Sequence, residues 1–327
     1  MSLPDAFPKR AVAMAEAGGL RFLGPEPEIV GRDPVLRSPF PLGEAAATVL
    51  ALCGDGAAAI WAARGHGPQR PRVEVRRAAA ALAGFAFQRL DPGPEARAAD
   101  WEPEPGGWRA WGARSMLRGE NASNPAVGIY RTTDGRWLHL HGGLPHLARR
   151  IEAVLGASGA AIAGAVGRWE AAALEDALAE AGTCGVIVRD ADEWRDHPQG
   201  RTLAALPLVE LHRIGEAPPR PLPQGAAPLG GLRVLDLSLA LAGPTCARTL
   251  AQHGAEVLHV GAPGRVDRQP FQLETGHGKR SAHIDLDVAA DREPGSIQPP
   301  FPQRSDLRIR CRVFPGALCS RRRLSRR

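Results

Sequence analysis

The stretch GLRVLDLSLALAGPTCARTLAQHGAEVLHVGAP (residues 231–263), followed by DRQPFQLETGHGKRSAHIDLD (residues 267–287), decides the fold of this chain. Arg233 to Leu239 holds a tight apolar run through Val234, Leu235, Leu237 and Leu239, the pattern of a strand buried on both faces. The run stops at Ala242-Gly243-Pro244, a turn whose proline suits the first position of a helix. Thr245 to His253 then continues with helical spacing, Ala247, Leu250 and Ala251 on one side, and Gly254 stands where the helix should end. Glu256 to Val260 is a second short apolar run. Strand, helix and strand in such close succession predict a βαβ unit. Sheets of this kind bind ligands where strands end and helix N-termini begin, which directs attention to residues 242–245.

The 327 residues suffice for two domains or one large one, and a hydrophobic fraction of 44% is that of a globular protein. No run of the sequence approaches the roughly eighteen apolar residues of a membrane span. The start, MSLPDAFPKR, has no apolar h-region, so no signal peptide is expected. Five cysteines (Cys53, Cys184, Cys246, Cys311 and Cys319) are scattered without a CxxC pair, which supports neither a zinc site nor a disulfide framework and fits a cytoplasmic protein. The net charge of +6 is uneven. Residues 301–327 hold nine arginines against Asp306, while the rest of the chain is close to neutral, at −2. A body without net positive charge argues against nucleic acid as a partner. The chain has two lysines, Lys9 and Lys279, against 39 arginines, a bias of coding rather than of function.

Upstream, Gly43–Cys53 and Gly56–Arg64 read as two short helices of small residues separated by Gly54-Asp55-Gly56. Val73-Glu74-Val75 alternates like a strand, and residues 78–90 read as an alanine-rich helix. The loop-rich stretch 91–128 carries Trp101, Trp108 and Trp111, which either stack on a flat ligand or anchor the loop. From Asn124 the sequence predicts strand, Asp134-Gly135 hairpin turn, strand (Trp137–His141) and an amphipathic helix over Pro145–Leu155 closed at Gly156. His139, His141 and His146 lack an evident further ligand, so no metal is expected. A helix over Trp169–Ala181 capped by Gly182, a strand over Gly185–Val188, a short helix from Asp192 ending before Pro198, and a strand-like run over residues 206–214 follow. Residues 216–231, EAPPRPLPQGAAPLGG, read as an extended proline-rich linker. These readings divide the chain into 1–120, a smaller α+β domain over 121–227, a Rossmann-like parallel-sheet portion over 228–290, and an irregular tail over 291–327. The fold class is α/β.

Three segments resemble the family III CoA-transferases, the group of formyl-CoA and carnitine CoA-transferases and α-methylacyl-CoA racemase. GLRVLDLSLALAGP, HGAEVLHV and TGHGKRSAHIDLD match the family's N-terminal signature in order. NPAVGIYRTTDGRWLHLH and DEWRDHPQGR are similar to its small domain. GHGPQRPRVEVRRAAAALAGF (residues 65–85) resembles the segment that carries the catalytic aspartate. The order is that of a tandem, degenerate subgroup, the back of one half joined to the front of another. The resemblance implies a homodimer when full length, and it implies acyl-CoA and carboxylate small molecules as partners, with coenzyme A as substrate and no permanently bound cofactor. It places Glu74 at the nucleophile position, where a carboxylate can be acylated; the other reading is an exposed strand residue. Leu241, Ala242, Gly243 and Pro244 fall on the loop that lines the CoA site. Lys279 and Arg280 fall on a glycine-rich turn, either as phosphate-binding cations or as a solvated surface turn. The sequence has neither a Walker A loop nor GxGxxG, which disfavours ATP and NAD. CoA transfer, an acyl-CoA racemase-like reaction and an inactive truncated fragment are the three activities in play. Where the family continues past its IDLD strand with an ordered segment, this chain has SDLRIRCRVFPGALCSRRRLSRR, which reads as a frame shifted between about residues 288 and 305; resequencing the locus decides it.

Overall fold

The computed structural model describes residues 12–16, 18–87, 124–207, 221–262, 269–285 and 288–292, with scattered positions between 209 and 218. The described residues fall into two compact units, one drawn from Met1–Asp91 and Pro207–Val313, the other from Pro92–Leu206. Trp101, Trp108, Trp111 and the arginine-rich tail from 301 lie outside the described residues.

The first unit starts with strand β1 (Glu28–Val30), helix α1 (Leu42–Ala63), strand β2 (Arg72–Glu74) and helix α2 (Val75–Leu82). β1 and β2 pair in parallel, Val30 opposite Glu74. Ala46, Ala47 and Ala51 of α1 pack against Ile29, Val75 and Ala78, small side chains that let helix and strands approach closely. α1 is one continuous helix where the sequence predicts two. The reason lies in Asp55, which is 2% exposed and accepts the N–H groups of Leu23 (2.5 Å) and Gly24 (3.0 Å). Gly-Asp-Gly is therefore an anchor inside the helix and not a break. Continuous, α1 reaches the length and hydropathy of a membrane-crossing helix, contrary to the expectation that no run does. Its buried Glu44 and Asp55 are engaged with the backbone of neighbouring loops, as in a core helix. The predicted helix over 78–90 starts earlier and ends at Leu82, where Gly84–Phe87 turns as a 3₁₀ segment.

The second unit contains strands β3 (Val127–Arg131) and β4 (Trp137–His141), helices α3 (Pro145–Leu155), α4 (Ala161–Val166) and α5 (Ala171–Glu180), strand β5 (Gly185–Ile187), and helices α6 (Ala191–Asp196) and α7 (Pro198–Ala204). The sheet is antiparallel in the order β3-β4-β5. Gly135 turns the hairpin at φ 78°, a conformation that costs glycine nothing. Leu138 and Leu140 point inward from β4 and are fully buried with Ile151, Ile162, Leu174 and Leu178. α6 opens with a reciprocal capping box between Asp190 and Glu193. The predicted strand over 206–214 does not appear among its described residues. The chain restarts as α7 after the Pro198 stop, because proline at the first helical position gives up an N–H that has no partner there anyway.

The first unit resumes after residue 207. Residues 221–231, predicted as extended linker, fold back on the end of α1. The Arg64 guanidinium donates to the carbonyls of Pro228 (2.8 Å), Gly230 (2.7 Å) and Pro223. Strand β6 (Arg233–Asp236), helix α8 (Ala242–Gln252), strand β7 (Glu256–Gly261), helix α9 (Gln269–Gly276) and strand β8 (Lys279–His283) follow. The three strands run parallel in the order β6-β7-β8, so the predicted βαβ unit is present and the protein is α/β, with parallel sheets and a separate antiparallel one. Ala247 of α8 packs on Val234 and Val257, and Ile60 of α1 joins this cluster. β6 is not buried on both faces as predicted. It lies at the sheet edge: Val234 and Asp236 turn inward, Leu235 is exposed, and Leu237 just beyond is 69% exposed.

Candidate functional site

Parallel strands carry their binding sites at their carboxyl ends, and on β6 that end is Asp236. The next residues, 237–241, lead into α8. Ala240 takes a left-handed φ of 71°, uncommon outside glycine. Ala242-Gly243-Pro244, predicted as a turn before the helix, is the first turn of α8 itself. Pro244 sits third in the helix, where its missing N–H is again no loss. No side chain caps the start of α8, while Leu241 and Ala242 are exposed there. Gly243 is buried, and a Cβ at this position would collide with the Ser238 side chain. Its lack of a side chain lets the helix start pack directly on the strand end.

The two cations predicted on the glycine-rich turn separate. Both belong to β8. Lys279 stands opposite Val257, which stands opposite Val234, so it shares the face that α8 covers. Arg280, one residue on, points to the other face and is exposed. The Lys279 ammonium lies 2.8 Å from Asp236 Oδ2 and 2.8 Å from the Pro244 carbonyl. Both side chains of the ion pair are 2% exposed. Lys279 is therefore not a solvent-facing cation on a flexible turn, as the sequence implied. It is an internal tie between β8, β6 and the first turn of α8.

Asp236, which sequence reasoning passed over, is the centre of this arrangement. Its Oδ1 accepts the Ser238 N–H at 3.0 Å and the Ser238 hydroxyl. Burial alone would raise the Asp236 carboxyl, but hydrogen bonds from Lys279 and Ser238 outweigh it and hold the group below its ordinary value. His259 Nε2 lies 3.3 Å from the Ser238 carbonyl and holds the same loop from β7. The available signal was an acid set in an apolar strand. Further along α8, Arg248 forms a largely buried ion pair with Glu274 of α9, whose side chain lies against Gly84.

Glu74 stands on the other parallel sheet of this unit, at the carboxyl end of β2 and immediately before α2. Its carboxylate pairs with Arg72 Nη1 at 3.1 Å and Arg77 Nε at 2.9 Å, and its side chain is 32% exposed. It is thus reachable, at the kind of strand end where ligands bind. Lys279, Gly243 and Pro244 cluster on the β6-β7-β8 sheet, and Glu74 is not a member of that sheet. In the second unit His139 and His141 lie with ring centroids 5.9 Å apart. Among the described residues no group of three or more His, Cys, Asp or Glu side chains could hold a metal ion.

Residues 229–294 match the family model for CoA-transferase family III. An acyl-CoA transferase of Gibberella moniliformis is 31% identical over 186 residues, 51% of this chain and 33% of that protein. An acetyl-coenzyme A transferase, nodX, of Hypoxylon pulicicidum is 30% identical over 190 residues, 50% of this chain and 31% of that one. The chain spans about a third of the length of these curated relatives. The crystal structure of a hypothetical protein from Mycobacterium tuberculosis is 35% identical over 20% of this chain and 21% of that one, with a TM-score of 0.18. The segment that runs from β6 to β8 and holds the Asp236–Lys279 tie is the part of the chain that matches the model of CoA-transferase family III.

Proposed function

We propose that the chain takes part in moving coenzyme A from an acyl-CoA to a carboxylate acceptor. The observation that carries this reading is the family match over residues 229–294, which coincides with the strand end and helix start just described. The names of the two transferase relatives support it. CoA enters as a substrate. The exposed start of α8, without a side-chain cap, offers backbone N–H groups and the positive end of the helix dipole to its phosphates.

The carboxylate step falls to Glu74. One of its oxygens attacks the thioester carbonyl of the acyl-CoA, the C–S bond breaks, and CoA thiolate leaves behind a mixed anhydride. The thiolate then attacks the glutamyl carbonyl, releasing the donor carboxylate and leaving Glu74 as a thioester of CoA. The acceptor carboxylate reverses both steps, so acyl-CoA and free Glu74 emerge with no net gain or loss of protons. Arg72 and Arg77 are more than half exposed, and solvent screens surface ion pairs of this kind, so they present a small barrier to engaging Glu74. Incubation with an acyl-CoA and a carboxylate acceptor in the presence of hydroxylamine should convert Glu74 to a hydroxamate that mass spectrometry reads, and Glu74→Gln should abolish both trapping and transfer. Transfer that persists in Glu74→Gln removes Glu74 from the mechanism, and the absence of any transfer by the unaltered protein removes the reading itself.

A further inference from the structure

A lysine in a phosphate-binding family segment invites the reading that it touches phosphate, and the geometry here points elsewhere. We infer that Lys279 and Asp236 are positioning residues, which set the start of α8 against the end of β6 without contacting the ligand; the inference rests on the CoA reading above. Three observations converge on it. The Lys279 side chain is 2% exposed, and its ammonium lies 2.8 Å from both the Asp236 carboxylate and the Pro244 carbonyl in the first turn of α8. Asp236 in turn holds Ser238, the residue on which Gly243 packs. Lys279 begins β8, so one side chain joins three elements beneath the helix start. To reach a phosphate, the ammonium would have to abandon a buried carboxylate, and breaking one side of a buried pair is strongly unfavourable.

The arrangement yields a test that separates positioning from contact. The chain's only other lysine is Lys9, so amine acetylation followed by mass spectrometry reports on Lys279 without ambiguity. Lys279 should resist acetylation in the native protein with or without CoA, and should become reactive in Asp236→Asn. Ready acetylation in the free protein, blocked only by added CoA, overturns the inference. Binding supplies the second readout. Lys279→Met alone strands the Asp236 carboxylate and should weaken CoA binding by about tenfold or more. The paired change Asp236→Leu with Lys279→Met replaces the ion pair by apolar packing, and should restore CoA affinity to within a few fold of the unaltered protein. A folded double variant that still lacks affinity assigns Lys279 to the ligand and sinks the positioning role. Because the double variant removes the buried charge altogether, it remains informative even if Lys279→Met fails to fold. Failure of the unaltered protein to bind CoA, by calorimetry, is a separate result that defeats the parent reading and the positioning role with it, while acetylation of Lys279 in the free protein defeats the positioning role alone.

Discussion

Asp236→Ala is expected to lower the stability of the β6–α8–β7–β8 region by about 3–5 kcal/mol, the range for removing one partner of a buried ion pair. The loss arises because Lys279 stays behind, enclosed under α8 with only the Pro244 carbonyl to receive its protons. Ser238 loses its acceptor as well, and with it the support for Gly243 and the helix start. Urea unfolding followed by hydrogen exchange at the amides of the three strands measures the effect, and separates this region from the other compact unit, which need not unfold with it. The pH dependence has a definite sign. The folded Asp236 carboxyl is held below its ordinary value, against the pull of burial, by Lys279 and Ser238. Its contribution is therefore fully present above the unfolded value of about 3.9 and is lost as pH falls toward the depressed folded value. Asp236→Asn lacks that titration, so the stability gap between it and the unaltered protein should narrow below about pH 4. A gap that stays constant down to pH 2 would mean that the Asp236 carboxylate gains nothing from Lys279.

Much of the fold was legible because local signals and packing agree. The Asp-Gly hairpin, the alternation of Trp137–His141 and the Pro145–Leu155 helix with its Gly156 stop all stand where the sequence puts them. So does the βαβ unit that opens at Arg233. The misreadings share a cause, which is that tertiary partners decide what a polar or proline-rich stretch does. Residues 216–231 read as extended linker because nothing local shows that Arg64 will collect three of their carbonyls. Lys279 read as a surface cation because its buried partner lies 43 residues away. The same separation hid Asp236 from the site, since a single acid in an apolar run identifies no partner. Glu74 was found through resemblance, and the structure adds its place at a strand end and its two arginines.

Asp55→Ala tests the most consequential of these misreadings. Taken as part of a break between helices, Asp55 would be exposed and dispensable, and its replacement by a strong helix former would be neutral or slightly stabilising. In the structure it is buried in the middle of α1 and accepts two backbone N–H groups, from Leu23 and Gly24, more than thirty residues upstream. Alanine removes both hydrogen bonds, but Leu23 and Gly24 are themselves exposed and water can reach the freed N–H groups, so at about 0.5–1.5 kcal/mol for each bond a total of about 1–3 kcal/mol is expected from the two together. Asp55→Asn keeps one carbonyl oxygen in place and should lose roughly half as much. The damage should be local at first. Hydrogen exchange at Leu23 and Gly24 should accelerate in Asp55→Ala while the centre of α1 keeps its protection, because the helix itself gains from alanine. If Asp55→Ala is as stable as the unaltered protein, the continuity of α1 through the triplet does not depend on this anchor.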